Sequence, residues 1–296
     1  MKKKTGKTVK ENKTFNILNI VVLLAFTLII VVPIWNVVVS SFSSSTALAS
    51  GSSTLWPKEF TLQNYQKVFA DSSIWRAFGI SVAKTVLGAL THVFFCAMVA
   101  YGLSKRKLVG RGFYTTFGVI TLYFGGGMIP YYLLIRSLGL LDSFWVYIIP
   151  GMLSYYDVII LMNFFRDVPA SLEESAKIDG AGDWTIFTKI FLPLSKPALA
   201  TITLFNGVAQ WNDFMTAKMF ITDQNLYPLQ MKIYEIIVQS QTKGFDNAAL
   251  ANSVVQSSSK GVQLATIIIT TVPILIIYPL LQRYFIGGMM VGAVKE

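Results

Sequence analysis

Apolar residues in this chain come in long runs rather than at the spaced positions of amphipathic elements. Six runs, at about 15–39, 76–103, 113–135, 143–165, 196–216 and 262–285, reach the roughly 20 residues that a helix needs to cross the hydrocarbon of a bilayer. They predict an all-α membrane protein with six transmembrane helices. The first run follows Lys2, Lys3, Lys4, Lys7, Lys10 and Lys13 and superficially resembles a signal peptide. It is too long for a cleaved apolar region and no small-residue cleavage site closes it, so it is expected to remain as the first helix.

Charge then orients the pattern. An even number of spans leaves both termini on one side, and with the N-terminus in the cytoplasm sixteen basic residues fall inside and eight outside. Lys105, Arg106, Lys107 and Arg111 form one inside cluster, Arg166, Lys177, Lys189 and Lys196 another, while Lys84 lies within the second span. Short basic loops near helix ends set orientation, so both termini are expected in the cytoplasm of a multi-pass cell-membrane protein. Only 14% of residues are charged, against about 25% in soluble domains. The net charge of +10 gathers at the ends of apolar runs, which argues against nucleic acid as a partner. Cys96 is the one cysteine and His92 the one histidine, so neither a disulfide nor a His/Cys metal cluster is expected.

Between the runs, residues 1–14 read as a basic cytoplasmic N-terminus, 40–75 and 217–261 as long external loops, and 286–296 as a cytoplasmic tail. Residues 76–285 form the core, and a helix is expected around Leu229 to Gln239. Neither loop is long enough for a separate enzyme domain. The third span contains Gly125, Gly126 and Gly127 before Pro130. Such a break can serve close helix packing or line a cavity.

The segment after the fourth span, 169–195, has its own pattern. Ser171 and Glu174 have capping-box spacing, which predicts a short helix from Leu172 to Asp179. Gly180 and Gly182 permit a sharp turn. Asp183 is then expected to cap a second short helix, Trp184 to Phe191, stopped by Pro193, with Pro197 opening the fifth span. Trp184, Phe187, Ile190 and Phe191 would supply apolar knobs. On physics alone this is equally an interfacial amphipathic hairpin.

Glu174-Ser175-Ala176, Gly180, Ile190 and Leu192-Pro193 resemble the EAA motif of binding-protein-dependent ABC importer permeases. The family pattern is Glu-Ala-Ala, three residues, Gly, nine residues, Ile-x-Leu-Pro, and Ser175 is the one departure. The segments at 100–111, 125–143, 210–214 and 226–239 and the tail resemble the smaller permease half of oligosaccharide importers, similar to the maltose importer's second permease subunit. The resemblance implies the type I ABC importer permease (MetI-like) fold, in which the loop is a coupling helix seated in a cytoplasmic ATPase subunit. It also implies the partners: a second homologous permease forming a heterodimer, two ATPase subunits, an extracellular solute-binding protein, an oligosaccharide cargo and membrane lipid. Glu173, Glu174, Ser175, Ala176, Asp179, Gly180, Gly182, Trp184, Ile190 and Pro193 are the expected coupling residues.

The chain carries no G-x-x-x-x-G-K-[ST] phosphate loop, so ATP and Mg belong to the ATPase subunits. This chain is expected to bind no cofactor or metal and to carry no catalytic residue. An ion-coupled secondary transporter would show paired repeats and charges in several spans, whereas Asp157 and Lys84 stand almost alone. A sugar path combines aromatic faces with amides and carboxylates. Two clusters qualify, Tyr155, Tyr156 and Asp157 in the fourth span and Trp211, Asn212 and Asp213 late in the fifth. An ionisable residue at membrane depth is a functional candidate, and an interhelical hydrogen bond that fixes packing is the alternative for each cluster. Lys84 and His92 read as groups satisfied by bundle partners.

Overall fold

The computed structural model describes residues 13–49, 55–242, 260–277 and 279, and every regular element among them is helical. These residues fall into two compact units, one drawn from 1–68 and 242–268, the other from 69–241 and 269–296. The lysines at 2–10, the loop 243–259, residues 280–285 of the sixth run and the tail 286–296 lie outside the described residues.

The first unit begins with α1 (Lys13–Ser41), which carries Pro33 inside it. It exposes apolar side chains from Phe15 to Trp35 and buries only Val39 and Ser41 near its end. Such a surface suits lipid and not water. Beyond α1, the short α2 (Ser45–Ala49) and α3 (Gln63–Ala70) are held by the buried Asn64, whose Nδ2 donates to the Ser41 and Ser43 carbonyls at 2.9 and 3.1 Å. Phe42 stacks on Phe60 and Tyr65.

The second unit is organised by α4 (Ser72–Ser104), 33 residues long. Its buried face reads Ala77, Ser81, Lys84, Gly88, His92, Cys96, Ala100 and Leu103, a helical stripe of mostly small side chains. Small residues let helix backbones approach closely, and α7 (Tyr155–Arg166) and α11 (Lys196–Asn212) pack there. At Gly88 an added Cβ would stand 2.9 Å from the Gln210 amide of α11.

Among the described residues, three helices are long and apolar enough to cross a membrane: α1, α4 and α14 (Lys260–Ile277). Two bent pairs raise the number to five if each pair is one span. In the third run, α5 (Arg111–Tyr123) and α6 (Met128–Ser137) meet at 118°, with Gly127 at φ 81° between them. In the fourth, the segment Phe144–Gly151 meets α7 at 49°. The fifth run is shorter than its apolar pattern suggests, because α11 ends at Asn212 and α12 (Met215–Phe220) starts separately. Asp213 makes the break: its Oδ1 accepts from Thr216 N at 3.1 Å, while its carbonyl accepts from Lys84 Nζ at 2.7 Å. The expected helix near 229–239 is α13 (Leu229–Thr242).

The loop 169–195 folds as helix, turn and helix, with three corrections. First, α8 (Ala170–Ile178) starts directly after Pro169 and has no side-chain cap hydrogen bond. The Ser171–Glu174 capping box is absent, since Ser171 is already inside the helix. Second, Gly182 rather than Asp183 precedes α9 (Asp183–Ile186), again without a side-chain cap. Third, Pro193 does not stop the helix. A π turn, Phe187–Phe191, runs on into α10 (Leu192–Leu194) and then α11. Pro193 directly follows this π turn, in which Leu192 N–H bonds to the Phe187 carbonyl.

Candidate functional site

Helix α8 buries none of its residues. Glu174, Ser175, Asp179, Gly180 and Gly182 are exposed, and Glu173 and Ala176 are half-buried. The turn that follows is a Schellman motif: Ala181 N–H bonds to the Ala176 carbonyl at 2.9 Å and Gly180 N–H to the Lys177 carbonyl at 3.1 Å. It requires a left-handed residue at Gly180, whose φ is 80°. The sharp turn foreseen at Gly180 is therefore present, made by backbone bonds.

Two of the expected apolar knobs are not available to a partner. Phe187 and Phe191 are 1% and 4% exposed, and both pack against Tyr101 near the end of α4. Trp184 is exposed but edges Phe94 of α4 as well as Phe187. Ile190 is half-buried on the same cluster. The outward apolar side chains are instead Leu172 and Ile178, the latter 86% exposed. Ile178 was legible as the lone large apolar residue among polar neighbours before the glycine turn.

A basic residue ties α8 to α4. Lys105, the residue that ends α4, places Nζ 2.7 Å from Glu173 Oε2, 4.0 Å from the Tyr101 ring centre and 4.5 Å from that of Phe191. Lys177 holds the other oxygen of Glu173 at 2.8 Å. Partial burial pushes the Glu173 pKa up, but the hydrogen bonds from Lys105 and Lys177 outweigh it and hold the carboxyl below its ordinary value. The same contact raises Lys177.

A second feature lies between α4, α7 and α11, a cavity of about 800 Å³ lined among others by His92, Tyr156, Asp157, Phe164, Phe205 and Asn206. His92 Nδ1 is 2.7 Å from the Gly151 carbonyl oxygen. A carbonyl only accepts, so Nδ1 carries a proton. His92 Nε2 is 3.0 Å from Asp157 Oδ2, a bond that needs one further proton, on the imidazole or on the carboxyl. Either way the pair is neutral as a unit. Asn206 Oδ1 is buried on the cavity wall with no hydrogen-bond partner.

The expected sugar clusters are thereby divided. Tyr156 and Asp157 face the cavity, but Tyr155 is buried beside Gly118 and donates its hydroxyl to the Thr115 carbonyl at 3.1 Å. Trp211 is buried and donates Nε1 to the Thr270 carbonyl at 3.0 Å. Asn212 bonds back to Val208 and accepts from Gln230. Asp213 is engaged by Lys84, whose side chain is fully buried, 3.4 Å from Asp213 Oδ2 and 4.9 Å from the Tyr147 ring centre. His92 and Asn206 escaped the sequence reading as site residues. Their signal was a polar side chain inside an apolar run.

Residues 12–291 match the family described as binding-protein-dependent transport system inner membrane component. The chain is 40% identical over 286 residues to protein LplC of Bacillus subtilis (strain 168), covering 97% of this chain and 96% of that protein. It is also 40% identical over 285 residues to the polygalacturonan/rhamnogalacturonan transport system permease protein YtcP of the same organism, covering 96% and 99%. A chain in the crystal structure of a bacterial ABC transporter involved in the import of the acidic polysaccharide alginate superposes with TM-score 0.85 and 33% identity, over 95% of this chain and 100% of that one.

Proposed function

Because this chain belongs to the binding-protein-dependent transport system inner membrane component family, we propose that it is the smaller permease half of an importer for oligosaccharides cut from polysaccharides, acidic ones included. The names of its relatives support that cargo class: polygalacturonan and rhamnogalacturonan for one, alginate for another. The chain is a non-catalytic subunit, and ATP is hydrolysed by partner ATPase subunits. Six spans cross the cell membrane with both termini in the cytoplasm, the bent pairs each counting as one span and α11 as the fifth. An extracellular binding protein delivers cargo and a second permease completes the pathway.

One observation carries the assignment. The segment Glu174–Pro193 has the EAA spacing, and α8 within it offers an unburied face fixed by the Gly180 turn. Glu174, Ser175, Asp179 and Ile178 face the ATPase, while Glu173 and Ala176 anchor the helix inward. Gly182, Trp184, Ile190 and Pro193 join it to the bundle. Tyr156 and Asp157 line the cargo path; Tyr155, Trp211, Asn212 and Asp213 hold the bundle around it.

The test is reconstitution with the ATPase and second permease in proteoliposomes. ATP hydrolysis should rise with binding protein loaded with an oligogalacturonide or a neutral arabino-oligosaccharide, and the sugar should accumulate. Gly180→Val should lower sugar moved per ATP while leaving insertion intact. Normal transport by that variant would remove the coupling assignment.

A further inference from the structure

We propose that the cavity between α4, α7 and α11 is a cargo subsite that accepts hydrogen bonds from hydroxyl groups on the uncharged face of a saccharide, through Asn206 and the His92-held Asp157. This rests on the reading of the chain as an oligosaccharide permease.

Asn206 is the first argument. Its Oδ1 is buried without a partner, and an unmet buried acceptor is a standing cost of folding. The side chain lines the cavity, and turning the amide brings this acceptor to the cavity space. Rotation about its terminal torsion, which is soft, exchanges oxygen and nitrogen, so the amide can accept or donate.

Asp157 is the second. Its side chain is 23% exposed, and His92 occupies Oδ2, leaving Oδ1 with no hydrogen-bond donor among the described residues. The Gly151 carbonyl fixes the ring that fixes the carboxylate. Asn206 and Asp157 both line one space of about 800 Å³, within the roughly 300–1,000 Å³ typical of ligand sites.

Charge sets the class of cargo surface. His92 and Asp157 are the ionisable side chains lining the cavity apart from Tyr156, and with their shared proton they carry no net charge. A uronate carboxylate finds no counter-charge here, whereas hydroxyl donors find two acceptors. The rings of Tyr156 and Phe164 border the same space, and an aromatic face suits the C–H side of a sugar. An acidic oligosaccharide therefore presents its hydroxyls to this chain, and its carboxylates are met elsewhere in the importer.

The experiment traps the complete complex with vanadate after turnover and measures sugar retained per complex, using the two probes named above. Asn206→Ala should lower retention of both probes by about five- to tenfold, the scale of one lost hydrogen bond, and Asn206→Asp, which keeps an acceptor, should restore most of it. Asn206→Lys should favour the oligogalacturonide over the neutral probe by about tenfold. Unchanged retention in Asn206→Ala overturns the subsite. So does loss of complex assembly in Asn206→Ala and Asn206→Asp alike, which would make the cavity a seat for the second permease. If the unaltered complex retains neither probe, the importer reading fails instead.

Discussion

Replacing Lys105 by methionine keeps the apolar stem and removes the charge that joins α8 to α4. The contact consists of a 2.7 Å ion pair with Glu173 and two aromatic faces, and the side chains are 24% and 20% exposed. A hydrogen bond to a charged group contributes about 1.5–3 kcal/mol and a partly wet cation–π contact about 0.5–1 kcal/mol. Two effects reduce the sum: solvent screens the pair, and Lys177 still holds Glu173. The net loss should be about 1–2 kcal/mol, a factor of about 5–30 in the equilibrium between docked and free α8. In the reconstituted importer, Lys105→Met should lower sugar moved per ATP, and Lys105→Arg should preserve it. A double-mutant cycle with Glu173→Gln isolates the pair. If the two single effects simply add, α8 and α4 are not joined through this contact, and the argument for the clamp is wrong. The sign of the pH effect follows from the lowered pKa of Glu173. The clamp is at full strength above the ordinary value of 4.5 and is lost as pH falls through the lower folded value.

Other outcomes test separate features. At Gly180 no atom stands within 4 Å of an added Cβ, so the cost of substitution is conformational, about 1–2 kcal/mol. Gly180→Asn should then disturb ATPase-driven transport less than Gly180→Ala, and equal effects would contradict the backbone explanation. Lys84→Met leaves Asp213 without its buried cation and should destabilise the chain by about 3–5 kcal/mol, seen as a lower melting temperature in detergent; adding Asp213→Asn should recover part of the loss. Asp142 accepts hydrogen bonds from Thr222 and from the Asp223 amide, which hold its pKa below the ordinary 3.8. Amide exchange at Thr222 and Asp223 should stay slow above that value and accelerate as pH falls below it.

Local patterns told a good deal about this protein. The apolar runs located α1, α4 and α14, with three to five candidate spans among the described residues where six were expected, and Gly180 marked a turn whose chemistry is backbone chemistry. Capping was misjudged because Ser171 and Glu174 have the right spacing, but the helix starts at Ala170, two residues before the expected Leu172. Phe187 and Phe191 were expected as apolar knobs for a partner, yet both are buried and pack on the Tyr101 ring. For Asp213 the alternative of an interhelical contact had no local signal, because Lys84, which engages it, is 129 residues away. The cavity depends on three helices meeting, and nothing local encodes which of the polar residues in these runs will share it, as His92 and Asn206 do.

The Lys84–Asp213 contact also fixes an order of events during synthesis. The lysine leaves the ribosome 129 residues ahead of the aspartate. While α4, long and apolar enough to cross a membrane, is made, its cation has no counterpart, and a charge at the centre of a bilayer costs on the order of 2.5–3.5 kcal/mol. The remainder of that helix is apolar enough to carry it in. Until α11 has been made, Lys84 lacks the partner that the folded chain gives it, and the pairing cannot precede the synthesis of Asp213.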